Sequence, residues 1–119
     1  MASLSDAELE YLLGGKRLGR LATVDTDGMP HVVPVGWRYN QETGTIDVSG
    51  RNFAATKKFR NVKANPRAAF VVDDVLPPWR PRSVMIQGDA RAIEASDGGA
   101  LIRITPEKIT SWGLGSSGR

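Results

Sequence analysis

Glycine, proline and Asx residues cut this chain into short lengths. Gly14-Gly15, Asp27-Gly28, "NQETG" at 40–44, Asn65-Pro66, the prolines at 77, 78 and 81, and "SDGG" at 96–99 leave few intervals long enough for a helix. Glycine supplies turn conformations and proline lacks a backbone donor, so such residues bound elements more often than they occupy them. Between them lie "RLGRLATVD", "HVVPVGWRY", "TIDVSG", "RAAFVVDD", "VMIQGDARAIEA" and "ALIRITPEKITSWGL". These runs are apolar and β-branched, and Ile46 and Val48 show the strict alternation of a strand with one buried face. The spacing predicts a mainly β fold, an antiparallel barrel or roll of about six strands with two short helices.

The first helix is signalled by "SLSDAELEYLL". Ser5 and Glu8 form a capping box, Leu9, Leu12 and Leu13 share a face, and Gly14-Gly15 ends the element. The second runs from Phe53 to Ala64, with Phe53, Ala54, Phe59 and Val62 near helical spacing, and stops at Asn65-Pro66. It crosses between the third and fourth strand runs. Pro34 removes a ladder donor and belongs at an edge, a bulge or a place where backbone meets a ligand. Gly88 interrupts a long strand and marks a bulge, and Pro77–Pro81 reads as an extended or looping connection.

A chain of 119 residues is a single domain, 1–119, with 1–4 and 115–119 as fraying ends. So small a core has little room for a private cavity, which favours a site shared between two subunits. Sixteen Lys and Arg against thirteen Asp and Glu give a net charge of +3, suited to an anionic ligand and short of a dedicated nucleic-acid binder. The absence of cysteine removes disulfides, thiolate metal sites and a cysteine nucleophile, and one histidine, His31, cannot build a His-rich metal cluster. No apolar run approaches the ~18 residues of a membrane span, and the acidic start "MASLSDAELE" lacks signal-peptide character. The expected location is cytoplasmic.

The chemistry concentrates in "SGRNFAATKKFRNVKANPR", where Lys57, Lys58, Arg60 and Lys63 crowd one helix and Arg67 follows its stop. Three readings compete. A charge run is commonly a solvated face. A nucleic-acid surface would interleave the cations with exposed aromatics, whereas Phe53 and Phe59 fall at core positions. An anion clamp would use the unpaired amides of the helix start, hydroxyls from Ser49 or Thr56, and charge-assisted bonds from Lys57 and Lys58. The strand end Ser49-Gly50 just before the helix favours the clamp for the front of the run.

These segments carry a resemblance. The hairpin with "GMPHVVPVGW", the strand end "VSG", "KFRNVKANPR" with its following apolar strand, and "SVMIQGDARAI" resemble the pyridoxamine 5′-phosphate oxidase-like split-barrel superfamily, which binds FMN or the deazaflavin F420. The resemblance spans about residues 5–114, and the closing "RITPEKITSWGL" is most similar to the short F420-dependent oxidoreductases of that class. It implies a six-stranded antiparallel split β-barrel of the FMN-binding type. It also implies a homodimer with cofactor sites at the subunit interface, acting on a small-molecule substrate, without nucleic acid or membrane. Carried over, Ser49, Thr56, Lys57 and Lys58 would grip the cofactor phosphate. Pro34, Val35 and Gly36 would meet the ring with their backbone, and Trp79, Arg80 and Gln87 would reach ring or tail from one chain or the other.

Two departures refine this expectation. The chain ends "SWGLGSSGR" with neither the His nor the paired Arg motif that holds the product in true pyridoxamine phosphate oxidases, so that oxidation is not expected. The strand "VVPVGWRY" carries only Arg38 as a cation, which favours F420 over FMN, the alternative cofactor. Flavin-type cofactors carry the hydride chemistry themselves, so the protein binds and orients, and no catalytic side chain is assigned. Arg51, Arg60 and Lys63 could extend a basic track towards an acidic tail. His31 reads as structural, and Trp37, Trp79 and Trp112 as packing or pocket residues. A non-catalytic cofactor carrier of the same fold remains open at this level.

Overall fold

The structure is a computed structural model that describes residues 2–115. Helix α1 (Asp6–Leu13) precedes β1 (Gly19–Val24), β2 (Pro30–Val35), β3 (Trp37–Asn40) and β4 (Thr45–Ser49). A single 3₁₀ turn, Phe53–Ala55, leads into α2 (Lys57–Ala64). Then come β5 (Arg67–Leu76), β6 (Arg80–Glu94) and β7 (Ala100–Trp112). All seven strands join one antiparallel sheet in the order β2-β1-β5-β6-β7-β4-β3.

The two edges of that sheet, β2 and β3, are consecutive in the chain. Only Gly36 separates them, so the sheet curls until its first and last strands meet at one residue. This is the split barrel. It also explains the strand count. "HVVPVGWRY" is two strands and not one, because the chain leaves the ladder with β1 after Val35 and enters the ladder with β4 at Trp37. The barrel therefore has seven strands where six were expected.

Pro34 lies on edge strand β2, opposite Arg20, where its missing donor disturbs no second ladder. The segment 77–81 is tighter than the looping connection expected. A short turn joins β5 to β6, and Arg80 and Pro81 already pair with Leu76 and Val75. Pro81 is tolerated because the β6–β7 ladder begins only at the Ser83–Trp112 pair. The bulge expected at Gly88 is present: Gln87 pairs with Lys108 and Gly88 with Pro106, leaving Glu107 as the extra residue. A Cβ at Gly88 would overlap the Thr105 carbonyl, so glycine is required by close backbone approach.

The core is continuous. Leu21, Ile46, Val48, Phe70, Val72, Val84, Ile86, Ile102 and Ile104 fill the barrel, and Phe59 and Val62 of α2 are buried with them. Phe53 is buried too, whereas Ala54 is exposed. Asn61, on the same face of α2, donates its Nδ2 to Thr23 Oγ1 at 3.1 Å, satisfying two buried polar groups at once.

Helix α1 begins with the predicted capping box. Glu8 N–H donates to Ser5 Oγ at 3.1 Å, and Ser5 N–H donates to Glu8 Oε1 at 2.8 Å. Tyr11 and Leu12 are buried, but Leu13 is 50% exposed. The helix is tied to the barrel end through Asp74. That carboxylate accepts from Tyr11 Oη at 3.0 Å, Arg17 Nε at 3.2 Å, and Arg82 Nε and Nη2 at 2.9 and 2.6 Å. At the N-terminus, Ala2 N–H donates to Pro106 O at 2.9 Å and Leu4 packs against the core. The expectation of a frayed C-terminal end falls mostly on residues outside those described. Among the described residues, no helix is long and apolar enough to cross a membrane.

Candidate functional site

The site is built where the barrel closes. Register pairs Trp37 with Val48, so Gly36 lies beside Ser49 at the next step of the β3–β4 ladder. Thus the backbone expected to meet a ring and the strand end expected to meet a phosphate are neighbours. Val35 is buried, Pro34 and Gly36 are exposed, and a Cβ at Gly36 would find no atom within 4 Å. The surface at Gly36 is bare backbone with open space before it.

After Ser49-Gly50, Asn52 turns the chain with a left-handed φ of 50°, a conformation Asn tolerates better than most residues. The 3₁₀ turn follows, and Thr56 becomes the N-cap of α2. Its hydroxyl donates to Phe53 O at 2.7 Å and accepts from Phe59 N–H at 3.3 Å. Thr56 is thus committed to the cap: its hydroxyl proton goes to Phe53 O and not to a ligand, against the expected grip on a phosphate. The amides of Lys57 and Lys58 open the helix and have no carbonyl within it to bond. Lys57 is exposed, and Lys58 lays its ammonium 5.2 Å from the Phe53 ring centroid.

The rest of the basic run is engaged elsewhere. Arg60 Nη1 donates to Ala55 O at 2.8 Å, Lys63 lies 3.9 Å from Glu94, and Arg67 lies 3.8 Å from Glu107. Among the described residues, the run divides into a front without acidic partners and a back in which Lys63 and Arg67 each face a carboxylate.

Three expected residues lie apart from this centre. Trp79 and Arg80 form the tip of the β5–β6 hairpin, with the Trp79 ring 75% exposed. Ser49 pairs with Leu101, which pairs with Ile93 near the opposite end of β6. Fourteen rises along a strand cover ~46 Å, so within one chain the hairpin tip and the helix start stand at opposite ends of β6. Gln87 lies between them on the outer sheet face. It lines a groove of about 450 Å³ with Ala22, Val24, Pro30, Ala69 and Lys108.

That outer face sets apolar residues among polar ones over two ladder rows. One runs Val32, Ala22, Ala69, Gln87, Lys108; the next runs Pro34, Arg20, Val71, Met85, Thr110. Val32 is 70% exposed.

Apart from Trp37, expected as a packing or pocket residue, and Arg38, noted as the one cation of its strand, the residues that gather around Gly36 carry no signal in the sequence. Around Gly36, a second groove of about 460 Å³ is lined by Leu13, Lys16, Leu18, Trp37, Arg38 and Tyr39, among others. Trp37 is fixed in its wall, donating Nε1 to Arg17 O at 2.7 Å and meeting Phe70 edge-on at 5.3 Å. Behind Arg38, Asp47 is 4% exposed and accepts from Arg103 Nε and Nη2, both at 3.0 Å, and from Asn40 and Thr45. Burial alone would raise its pKa, but these donors outweigh it and hold the carboxyl below its ordinary value. No local pattern around "GGKRLGR" or "WRY" announces the groove, because loop and strand meet only through closure of the barrel.

His31 has a structural partner. Its Nε2 lies 2.9 Å from Asp25 Oδ2, and Asp25 Oδ1 accepts from the amides of Asp27 and Met29. The His31 bond, helped by those amides, lowers the Asp25 pKa to about 2.

Comparison with known proteins places this architecture. The curated relative 5a,11a-dehydrotetracycline/5a,11a-dehydrooxytetracycline reductase of Streptomyces rimosus is 42% identical over 116 residues, covering 90% of this chain and 81% of its own. A FAD-binding protein of Mesorhizobium loti has a similar structure, with a TM-score of 0.72 at 23% identity over 92% of this chain and 95% of that one. A solved F420 reductase gives a TM-score of 0.66 at 23% identity, over 85% of this chain and 94% of its own. The family described as pyridoxamine 5′-phosphate oxidase matches residues 5–113. Over nearly all of its described length, the chain belongs to the pyridoxamine 5′-phosphate oxidase family.

Proposed function

We propose that this protein is a flavin- or deazaflavin-binding oxidoreductase, with F420 as its cofactor and FMN as the alternative, acting on an activated double bond of a small organic acceptor. The observation that carries this reading is the junction of bare Gly36 backbone, Ser49-Gly50 and the cationic start of α2. A phosphate belongs at the α2 amides with Lys57 and Lys58, and a flat ring against Pro34–Gly36. The reductase named among the relatives supports reduction as the direction. The structural neighbours are named for both FAD and F420, so the choice of F420 rests on the single cation, Arg38, in "VVPVGWRY".

When bound, the reduced cofactor supplies a hydride to the acceptor carbon, and solvent supplies the proton that completes the reduction. The chain's own work is binding and placement. Lys57, Lys58 and the helix amides hold the anionic end, while the buried Val35 side chain anchors the strand that presents Gly36. No side chain is assigned a proton-transfer role.

The reading extends to a cytoplasmic homodimer formed through the outer sheet face. Exposed Val32 and the half-buried Val71, Met85 and Ala69 support a partner there. A second copy on that face also offers a way for Trp79, Arg80 or Gln87 to reach a site that their own chain does not bring them to.

Fluorescence titration with F420 and with FMN, followed by turnover of reduced cofactor with candidate acceptors, tests the proposal. F420 binding that weakens about a hundredfold in Lys57→Ala with Lys58→Ala, with a shallower salt dependence, is the expected outcome. FMN binding alone would overturn the cofactor choice. An unchanged Kd in the double variant would overturn the clamp, and tight binding without turnover on any acceptor would make the protein a carrier.

A further inference from the structure

The groove between the 15–18 segment and β3 differs in character from the phosphate end of the site. Leu13 and Leu18 are 50% and 61% exposed there, unusual for leucines. Trp37 and Tyr39 add aromatic surface, and Gly36, the residue assigned to the ring, belongs to the same lining. At about 460 Å³ the groove is of a size that takes a small organic molecule.

Its charge has one sign. Lys16, Arg17 and Arg38 line it, and no acidic residue does. Arg17 lies 3.2 Å from Asp74 but shares that carboxylate with Arg82, so this trio keeps a net positive charge. Arg38 lies 3.8 Å from Asp47, but both oxygens of that carboxylate are already held by Arg103, so the three groups together keep a net positive charge. Among the described residues Lys16 forms no ion pair. The rim is cationic and the walls are apolar.

We propose that this groove is the acceptor subsite, and that it selects a planar, polycyclic organic anion, seating the ring system on Leu13, Leu18 and Trp37 with the charge towards Lys16 and Arg38. This rests on the reading that the cofactor ring lies at Gly36, which would place an acceptor here beside it. The groove commits to an anion because a neutral acceptor gains nothing from the cationic rim, and to a flat one because its walls are aromatic and leucine side chains.

The test uses anthracene-9-carboxylate as a probe and 9-anthracenemethanol as its neutral counterpart, titrated against the whole protein without cofactor. The carboxylate is expected to quench tryptophan fluorescence, with the quench lost in Trp37→Phe. It should bind about fivefold more tightly than the alcohol, and Lys16→Glu or Leu18→Asp should weaken it about tenfold or more. F420 and FMN affinities should fall less in either variant than in Lys57→Ala with Lys58→Ala. Equal binding by all variants, or loss in Lys57→Ala with Lys58→Ala instead, would overturn the proposal. So would conversion of a dimer to monomer by Leu18→Asp in sedimentation, since a second copy would then occupy the groove. If neither cofactor binds, the proposed function fails, but carboxylate binding and its loss in Lys16→Glu still decide the groove.

Discussion

Replacing Gly36 by valine separates folding from function more cleanly than any other single change. A Cβ at this position meets nothing within 4 Å, and the backbone there is not in the left-handed region, so the folded protein has room for the side chain. The thermal midpoint should therefore stay within a few degrees of the parent. The bound state is different if a flat ring rests on this backbone. A tricyclic ring making ~20 contacts of 0.1–0.2 kcal/mol gains about 2–4 kcal/mol from dispersion. Lifting it by about 1 Å forfeits up to half of that, about 1–2 kcal/mol. The expected loss in cofactor affinity is about 5- to 30-fold. Fluorescence titration of the Gly36→Val protein with F420 and FMN, beside a thermal melt, measures both quantities. An unchanged Kd for the cofactor that binds the parent would show that Gly36 is not the floor of the ring site. A collapsed melt would show that the space before it is not free.

Three further outcomes follow from the same geometry. Gly88→Ala should destabilise the fold by about 1–3 kcal/mol, read from a urea midpoint, because its Cβ would overlap the Thr105 carbonyl in the bulge; an unchanged midpoint would mean the bulge relaxes freely. Acid should unfold the protein through its paired carboxylates. The Asp74 pKa is lowered chiefly by the Arg82 hydrogen bond, and that of Asp25 is lowered to about 2 chiefly by His31, both from an ordinary 3.8. Folded values below the unfolded ones mean stability that is complete above pH 3.8 and lost as the pH falls below it, and a flat urea midpoint down to pH 2 would refute this. Val71→Asp on the outer face should shift sedimentation from dimer to monomer and lower cofactor affinity with it; a monomeric parent would refute the shared site.

The sequence carries the local grammar of this molecule. The capping box at Ser5 and Glu8, the helix stop at Asn65-Pro66, the turn at Asp27-Gly28 and the bulge at Gly88 are set by interactions a few residues apart or by backbone freedom, and each is legible in the residues themselves. The charge run is also recognisable as a helix with a distinct front. Which of its cations are free is not, because Glu94 and Glu107, the partners of Lys63 and Arg67, come from distant strands. The same holds for Asp74, whose partners Tyr11, Arg17 and Arg82 are gathered from three separate segments.

Tertiary structure alone decided that Gly36 is the hinge between two strands at opposite edges of the sheet, and that closure brings it beside Ser49. No periodicity marks such a position, since a strand that changes partners looks locally like a strand that does not. The cationic groove above it has the same origin: its walls are a loop and a strand twenty residues apart in sequence, joined where Trp37 donates to Arg17 O.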